Sequence, residues 1–189
     1  MSVYPFAKVQ QFIFLGIFLG IFLSASSFTQ VFAQSFVGCP TGDERIASSD
    51  ESYEEEVLRL VNEIRAKKRL KPVILNASLT WAARYHAKDM IVDNYFEHDP
   101  HDRKGRRLRK VCSTFEKMDF FVKDELFSRS ENIGAGSQTP KEMVKDWMDS
   151  PGHKENILDP ETKYMGVAYL YDANSEWKND WVQCFGMEN

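Results

Sequence analysis

Four histidines, His86, His98, His101 and His153, are the side chains of this 189-residue chain best suited to ligand or proton chemistry near neutral pH. His98 and His101 lie in Glu97-His98-Asp99-Pro100-His101-Asp102, where imidazoles alternate with carboxylates, the donor types that hold a transition metal. Polar loops often have this look without binding anything, and no HExxH or CxxC spacing accompanies this one. His153 follows Ser150-Pro151-Gly152, a cap and a first-turn proline, which places it in the first turn of a helix. The positive dipole end there depresses an imidazole pKa and favours the neutral, ligand-competent form, although an ordinary capping-region histidine has the same sequence context. Nucleophile patterns are missing: Gly136-Ser137-Gln138 is not GxSxG, Cys112 has no catalytic context, and Gly134-Ala135-Gly136 is not followed by GK[ST].

The elements that must position these residues are legible in outline. Ser52 and Glu55 have capping-box spacing ahead of the apolar stripe Val57, Leu60, Val61, Ile64, with Pro72 ending that helix. A second helix is expected from about Ala77 to Asn94, with Leu79, Ala82, Ala83, His86 and Met90 on one face, so His86 is expected to pack rather than to ligate. Thr139-Pro140-Lys141-Glu142 opens another helix with Met143, Val144, Trp147 and Met148 as its apolar face, and Ser150-Pro151 restarts it. Tyr164–Tyr171 and Trp181–Phe185 read as strands joined by a polar loop, with a third short strand around Ser130–Gly134. Helices followed by strands indicate an α+β domain with a small antiparallel sheet. Residues 97–127 look irregular. They carry six bases in eight positions (Arg103, Lys104, Arg106, Arg107, Arg109, Lys110) and four phenylalanines, Phe115, Phe120, Phe121 and Phe127. An anionic surface would suit the bases, but a solvated helix face with an aromatic side on the core is the ordinary reading.

Lys8 is the only charge before Asp43, and Phe12–Leu23 is apolar apart from two glycines. The pattern reads as a signal peptide cleaved after Ala33, the apolar run being short for a bilayer span. Residues 34–49 then form a flexible polar leader and residues 50–189 the domain, exported to the cell envelope, the periplasm or the medium. Loss of residues 1–33 removes Lys8 and no acid, taking the net charge from -4 to -5, which gives no general attraction to nucleic acid. Three cysteines remain, an odd number, so at least one has no partner within the chain. Cys112–Cys184 is the favoured pair because Cys39 lies in the leader; both being small buried hydrophobes is the alternative. Asn76-Ala77-Ser78 would accept a glycan only in a eukaryotic secretory pathway.

From about residue 50 to the end, four segments in order resemble the CAP superfamily of cysteine-rich secretory, antigen 5 and pathogenesis-related proteins, in its bacterial form. They are Leu58-x-x-Val61-Asn62-x-x-Arg65, Phe96-Glu97-His98, Glu131-Asn132-Ile133-Gly134 and Trp147-x-x-Ser150-Pro151-Gly152-His153-x-x-Asn156-Ile157-Leu158. Tyr164-Met165-Gly166-Val167 and Trp181-Val182-Gln183-x-Phe185-Gly186 also fit. The resemblance implies a three-layer α-β-α sandwich around a central antiparallel sheet, with a cleft where two histidines and two acids meet. His98, Glu131 and His153 match three of those positions; the fourth, a glutamate three residues after the tryptophan, is Ser150 here, preceded by Asp149. Ser130 stands where the family usually has glycine, and the family's dense disulfides are missing. The resemblance implies a secreted binding protein rather than an enzyme, with a lipid, a sterol-like small molecule or an envelope or host molecule as partner. A His98, His153 and Glu131 set with open positions is also what a catalytic zinc site uses, so a zinc-dependent hydrolase is the alternative.

Overall fold

A computed structural model describes residues 36–123 and 126–188, side chains at 126, 128 and 129 excepted. The signal-peptide reading of residues 1–33 lies outside the described residues. The unit Gln34–Asn189 is compact by itself and contains both hydrophobic clusters, the sheet and a disulfide, the parts a folding unit needs.

Helix α1 spans Glu51–Lys67 and α2 spans Ala77–Asp93, with the two-residue strand β1, Ile74–Leu75, between them. The cap of α1 is Asp50 rather than Ser52: its carboxylate accepts from the Ser52 amide and hydroxyl, so the helix begins one residue ahead of the expected capping box. Asn76 caps α2 in the same way, and Asn94 closes it in the left-handed conformation. The stretch expected to be irregular is a two-stranded hairpin, β2 (His101–Lys104) and β3 (Arg107–Lys110), followed by helix α3, Thr114–Val122. The bases therefore ride on a hairpin and not on a helix. Of the four phenylalanines, Phe121 is buried while Phe115, Phe120 and Phe127 are exposed. The inward stripe of α3 is Thr114, Lys117, Met118, Phe121, Val122, and Phe115 and Phe120 fall outside that spacing.

Strand β4 is Leu126–Ala135; helices α4 (Pro140–Asp149) and α5 (Pro151–Leu158) follow, then strands β5 (Tyr164–Tyr171) and β6 (Asn179–Glu188). The Thr139/Glu142 capping box forms as expected. Ser150 occupies the cap position of α5, but its side chain makes no capping hydrogen bond. The main sheet has the order β1-β5-β6-β4. Its long pairs are antiparallel and β1 joins β5 in parallel, so the central sheet is antiparallel but for that short edge.

Alternation along the strands sorts the core into two layers. Ala168, Leu170, Val182, Cys184 and Ile133 face α2 and α3. Met165, Val167, Tyr169, Trp181 and Phe185 face α1, α4 and α5. Trp147 and Trp181 are almost wholly buried there, each worth roughly 2–3 kcal/mol of removed apolar surface. Gly166 lets α2 rest on β5: a Cβ at that position would lie 2.1 Å from the Leu79 backbone carbon. Arg65, also buried, donates to the carbonyls of Lys71, Ile157, Asp159 and Thr162 and ties the end of α1 to the end of α5.

The leader expected to be flexible is held against this body. Phe36 packs on Tyr85, Arg45 lies 3.6 Å over the Trp81 ring, and the Ser49 amide donates to the Tyr169 carbonyl. Cys39 is bonded to Cys112, and Cys184 is the buried free thiol, which corrects the Cys112–Cys184 pairing. Cys184 is central on β6 with its side chain under α2 and α3, whereas Cys112, itself buried, follows the hairpin where the leader passes.

Candidate functional site

The site forms at β4, the edge of the main sheet, where both helical layers come within reach of one strand. Glu131 pairs with Cys184 on β6 and so shares its face, towards α2 and α3. Asn132 pairs with Gln183 and faces α5. His98 reaches the strand from the loop after α2, and His153 from the first turn of α5.

Glu131 is the centre of the arrangement, its side chain 1% exposed. Its Oε1 accepts from His98 Nδ1 at 3.1 Å, with His86 Nε2 3.8 Å away. Its Oε2 accepts from the ammonium of Lys117, whose side chain is wholly buried, and lies 3.8 Å from Cys184 Sγ. Burial alone would raise the Glu131 pKa. Lys117 and His86, with the hydrogen bonds from His98 and Lys117, outweigh it and hold the carboxyl down at about 2. Burial, then the nearby Lys117, pushes His86 down to about 3, so that ring is neutral. His86 Nε2 is also 3.0 Å from the Glu97 carbonyl, which tethers the start of the loop carrying His98.

An ionised Glu131 makes His98 Nδ1 the donor of that hydrogen bond and leaves Nε2 at the outer edge of the ring. The His98 side chain is half exposed, and its ring centroid lies 6.4 Å from that of His153. His153 is half buried; burial first, and then His98, lowers its pKa below the ordinary 6.5, which favours its neutral form at pH 7. The helix dipole invoked from the sequence acts in the same direction, but desolvation is the main cause.

Amide side chains lock the other side of the strand. Asn132 Nδ2 donates to the His153 carbonyl at 3.1 Å and to Gln183 Oε1. Asn156 Nδ2 donates to the Glu131 carbonyl at 3.2 Å and to Asn132 Oδ1 at 2.8 Å. Next to Asn156 opens a cleft of about 540 Å³, lined by Phe127, Ser130, Glu155, Asn156, Leu158 and Pro160 among others.

Of the residues expected in the cleft, His98, Glu131 and His153 are brought together. Asp149 is not: its side chain is 64% exposed and pairs with Lys145 one turn back along α4 at 2.6 Å. Ser150 is half buried at the α4–α5 junction. Lys117, Cys184, His86 and the amides of Asn132, Asn156 and Gln183 complete the site and were not expected there. Lys117 had a signal in the sequence: on α3 it stands on the apolar stripe between Thr114 and Phe121, where a lysine needs a buried partner. His101 takes another place, its amide donating to the Tyr95 hydroxyl, which bonds Asp89.

Residues 58–185 match the model of the cysteine-rich secretory protein family, CAP. The chain belongs to this family. Its similarity to the uncharacterized protein YkwD of Bacillus subtilis is 36% identity over 135 residues, which is 71% of this chain and 49% of that protein. The chain thus spans about half the length of the curated relative it matches. Two solved structures share the fold. One is an extracellular protein containing an SCP domain from Bacillus anthracis, 22% identical with a TM-score of 0.58, over 74% of this chain and 41% of that one. The other is an outer surface protein from Borrelia burgdorferi, 17% identical with a TM-score of 0.62, over 77% of this chain and 100% of that one. The α-β-α sandwich of the CAP family is therefore the fold of this chain.

Both oxygens of Glu131 already hold protein donors, so a zinc ion that used this carboxylate would have to displace one of them. The Lys117 ammonium occupies one carboxylate oxygen and His98 the other. Among the described residues no three His, Cys, Asp or Glu side chains converge on a point that would hold an ion.

Proposed function

We propose that this CAP-family chain is an exported binding module that takes a small, largely apolar ligand such as a lipid or sterol-like molecule at the β4 edge. The observation that carries this reading is the state of Glu131. Both oxygens are committed to protein donors and the charge is cancelled from within by Lys117. The site therefore presents imidazole edges over a carboxylate whose own oxygens are both engaged. The neighbouring cleft joins apolar walls, Phe127, Leu158 and Pro160, to the polar Ser130 and Asn156 and the acids Glu155 and Asp159, and its volume is in the range of small-molecule sites. Export accords with the apolar N-terminal run and with relatives of this fold described as extracellular or outer surface proteins. The zinc-dependent hydrolase has no observation in its favour beyond the residue types.

The test is titration of the Gln34–Asn189 unit with a fluorescent fatty acid and a labelled sterol. Saturable binding, weakened at least tenfold in Phe127→Ser/Leu158→Ser and altered in His153→Ala, is the expected result. Failure of both probes, together with stoichiometric zinc uptake and ester hydrolysis lost in His98→Ala, would replace this reading with the hydrolase.

A further inference from the structure

The β2–β3 hairpin separates its charges by face. Residues opposite one another across the ladder share a face, so His101, Arg103, Leu108 and Lys110 lie on one side and Asp102, Lys104, Arg107 and Arg109 on the other. The first side is turned to the body and its cations are used. Leu108 packs on the core, Arg103 donates to the carbonyls of Asp93 and Asn94 at the end of α2, and Lys110 pairs with Asp99 at 2.6 Å. On the second side the one acid, Asp102, accepts from the Gly38 amide at 2.8 Å through one oxygen and stands opposite Arg109 in the ladder, offsetting one of the outward cations. Lys104, Arg107 and Arg109, with Arg106 in the turn beside Gly105, are exposed and have no partner among the described residues.

This array is costly to the isolated fold. Lys104 and Arg107 stand directly opposite one another, a like-charge pair that destabilises a hairpin. The four cations project from a chain that is net acidic, with 28 acids against 24 bases. An anionic surface would therefore meet the hairpin first and be repelled by much of the remainder. The outward side carries no aromatic ring, so it offers no stacking platform for single-stranded nucleic acid. Exposed apolar side chains flank its base instead. Val37, 75% exposed, adjoins the Gly38 that bonds Asp102, and Phe115, 49% exposed, follows Cys112, which the disulfide pins to Cys39.

We infer that the outward side of the β2–β3 hairpin, Lys104, Arg106, Arg107 and Arg109, docks the protein on an anionic phospholipid surface, the four cations meeting lipid phosphates while Val37 and Phe115 enter the interfacial region. This surface is separate from the β4 cleft and does not depend on how the cleft is read. Basic side chains at an anionic bilayer each add a several-fold gain in partitioning, which salt screens.

The experiment is co-sedimentation of the Gln34–Asn189 unit with phosphatidylglycerol/phosphatidylcholine vesicles, with pure phosphatidylcholine vesicles, and with soluble linear polyphosphate as competitor. Binding to the mixed vesicles alone is expected, falling as salt rises. It should drop on the order of a hundredfold in Lys104→Ser/Arg106→Ser/Arg107→Ser/Arg109→Ser. The charge-conserving Lys104→Arg/Arg106→Lys/Arg107→Lys/Arg109→Lys should retain it. Melting temperatures of both variants at or above wild type show that the loss is not unfolding. Equal binding to neutral vesicles, no effect of the quadruple serine variant, or binding to polyphosphate with none to vesicles would overturn the inference, the last in favour of a soluble polyanion.

Discussion

Lys117 and Glu131 form an ion pair shut off from solvent, directly beneath the exposed ring of His98. A carboxylate and an ammonium in that position are each intolerable alone, because desolvation penalises the unpaired charge far more than the pair gains. Lys117→Met should therefore cost roughly 3–5 kcal/mol in chemical denaturation, and Lys117→Met/Glu131→Gln should recover much of it. Equal stability of single and double variants would mean that the two charges are not coupled.

The same pair sets a pH window. The Glu131 pKa falls from its ordinary 4.5 to about 2 in the fold. A depressed carboxyl stabilises the folded state above its unfolded pKa and loses that contribution as pH falls from about 4.5 towards 2. Of order 3 kcal/mol of acid sensitivity follows from the shift. Denaturation midpoints measured across this range should slope less in Glu131→Gln than in wild type; parallel slopes would assign the acid sensitivity elsewhere.

The cysteines make a second, independent prediction. Cys39–Cys112 closes a loop with a sequence separation of 73, so Cys39→Ser/Cys112→Ser should lose about 2–4 kcal/mol and free the segment around residues 36–49 to proteolysis. Cys184 is fully buried, and burial together with Glu131 pushes its thiol well up. A thiol reagent should find no reactive cysteine in the native protein and one per chain after unfolding under oxidising conditions. A fast-reacting thiol in the native state would point to a different pairing.

How much of this was legible in the sequence depended on the range of the interaction. Local chemistry read well: the Thr139/Glu142 box, the Pro151 restart that places His153, and the strand Tyr164–Tyr171 all rest on neighbours within a few residues. The meeting of His98 with Glu131 came from the family motifs, since nothing in local spacing joins positions 33 residues apart. Lys117 and the Cys39 bridge were not read because each is decided by a distant partner. A lysine on an amphipathic helix looks solvated until a carboxylate is found under it, and a polar leader looks loose until Arg45 stacks on Trp81 and Cys39 reaches Cys112. The hairpin was missed for a different reason: strands made of alternating bases carry no apolar period, and only Leu108 marks the inward side.

Asp180 supplies the last prediction. It is 1% exposed on β6, and neither carboxylate oxygen finds a hydrogen-bond partner among the described residues. Burial, with a smaller push from Asp172, raises its pKa from 3.8 to about 7. The sign is opposite to that of Glu131. Below about 3.8 the group is protonated in both states and costs little. Between 3.8 and 7 the unfolded chain releases the proton while the fold keeps it, so stability declines as pH rises, and above 7 the penalty is constant. Asp180→Asn, which keeps the shape without the charge, should be nearly neutral at pH 4 and more stable than wild type by roughly 1–3 kcal/mol at pH 8, the gain developing through that window. Urea denaturation of both proteins at pH 4, 6 and 8 checks it. A gain that is the same at all three values would mean that Asp180 titrates in the fold as it does in the unfolded chain, and a loss at pH 8 would mean that the charge is used there.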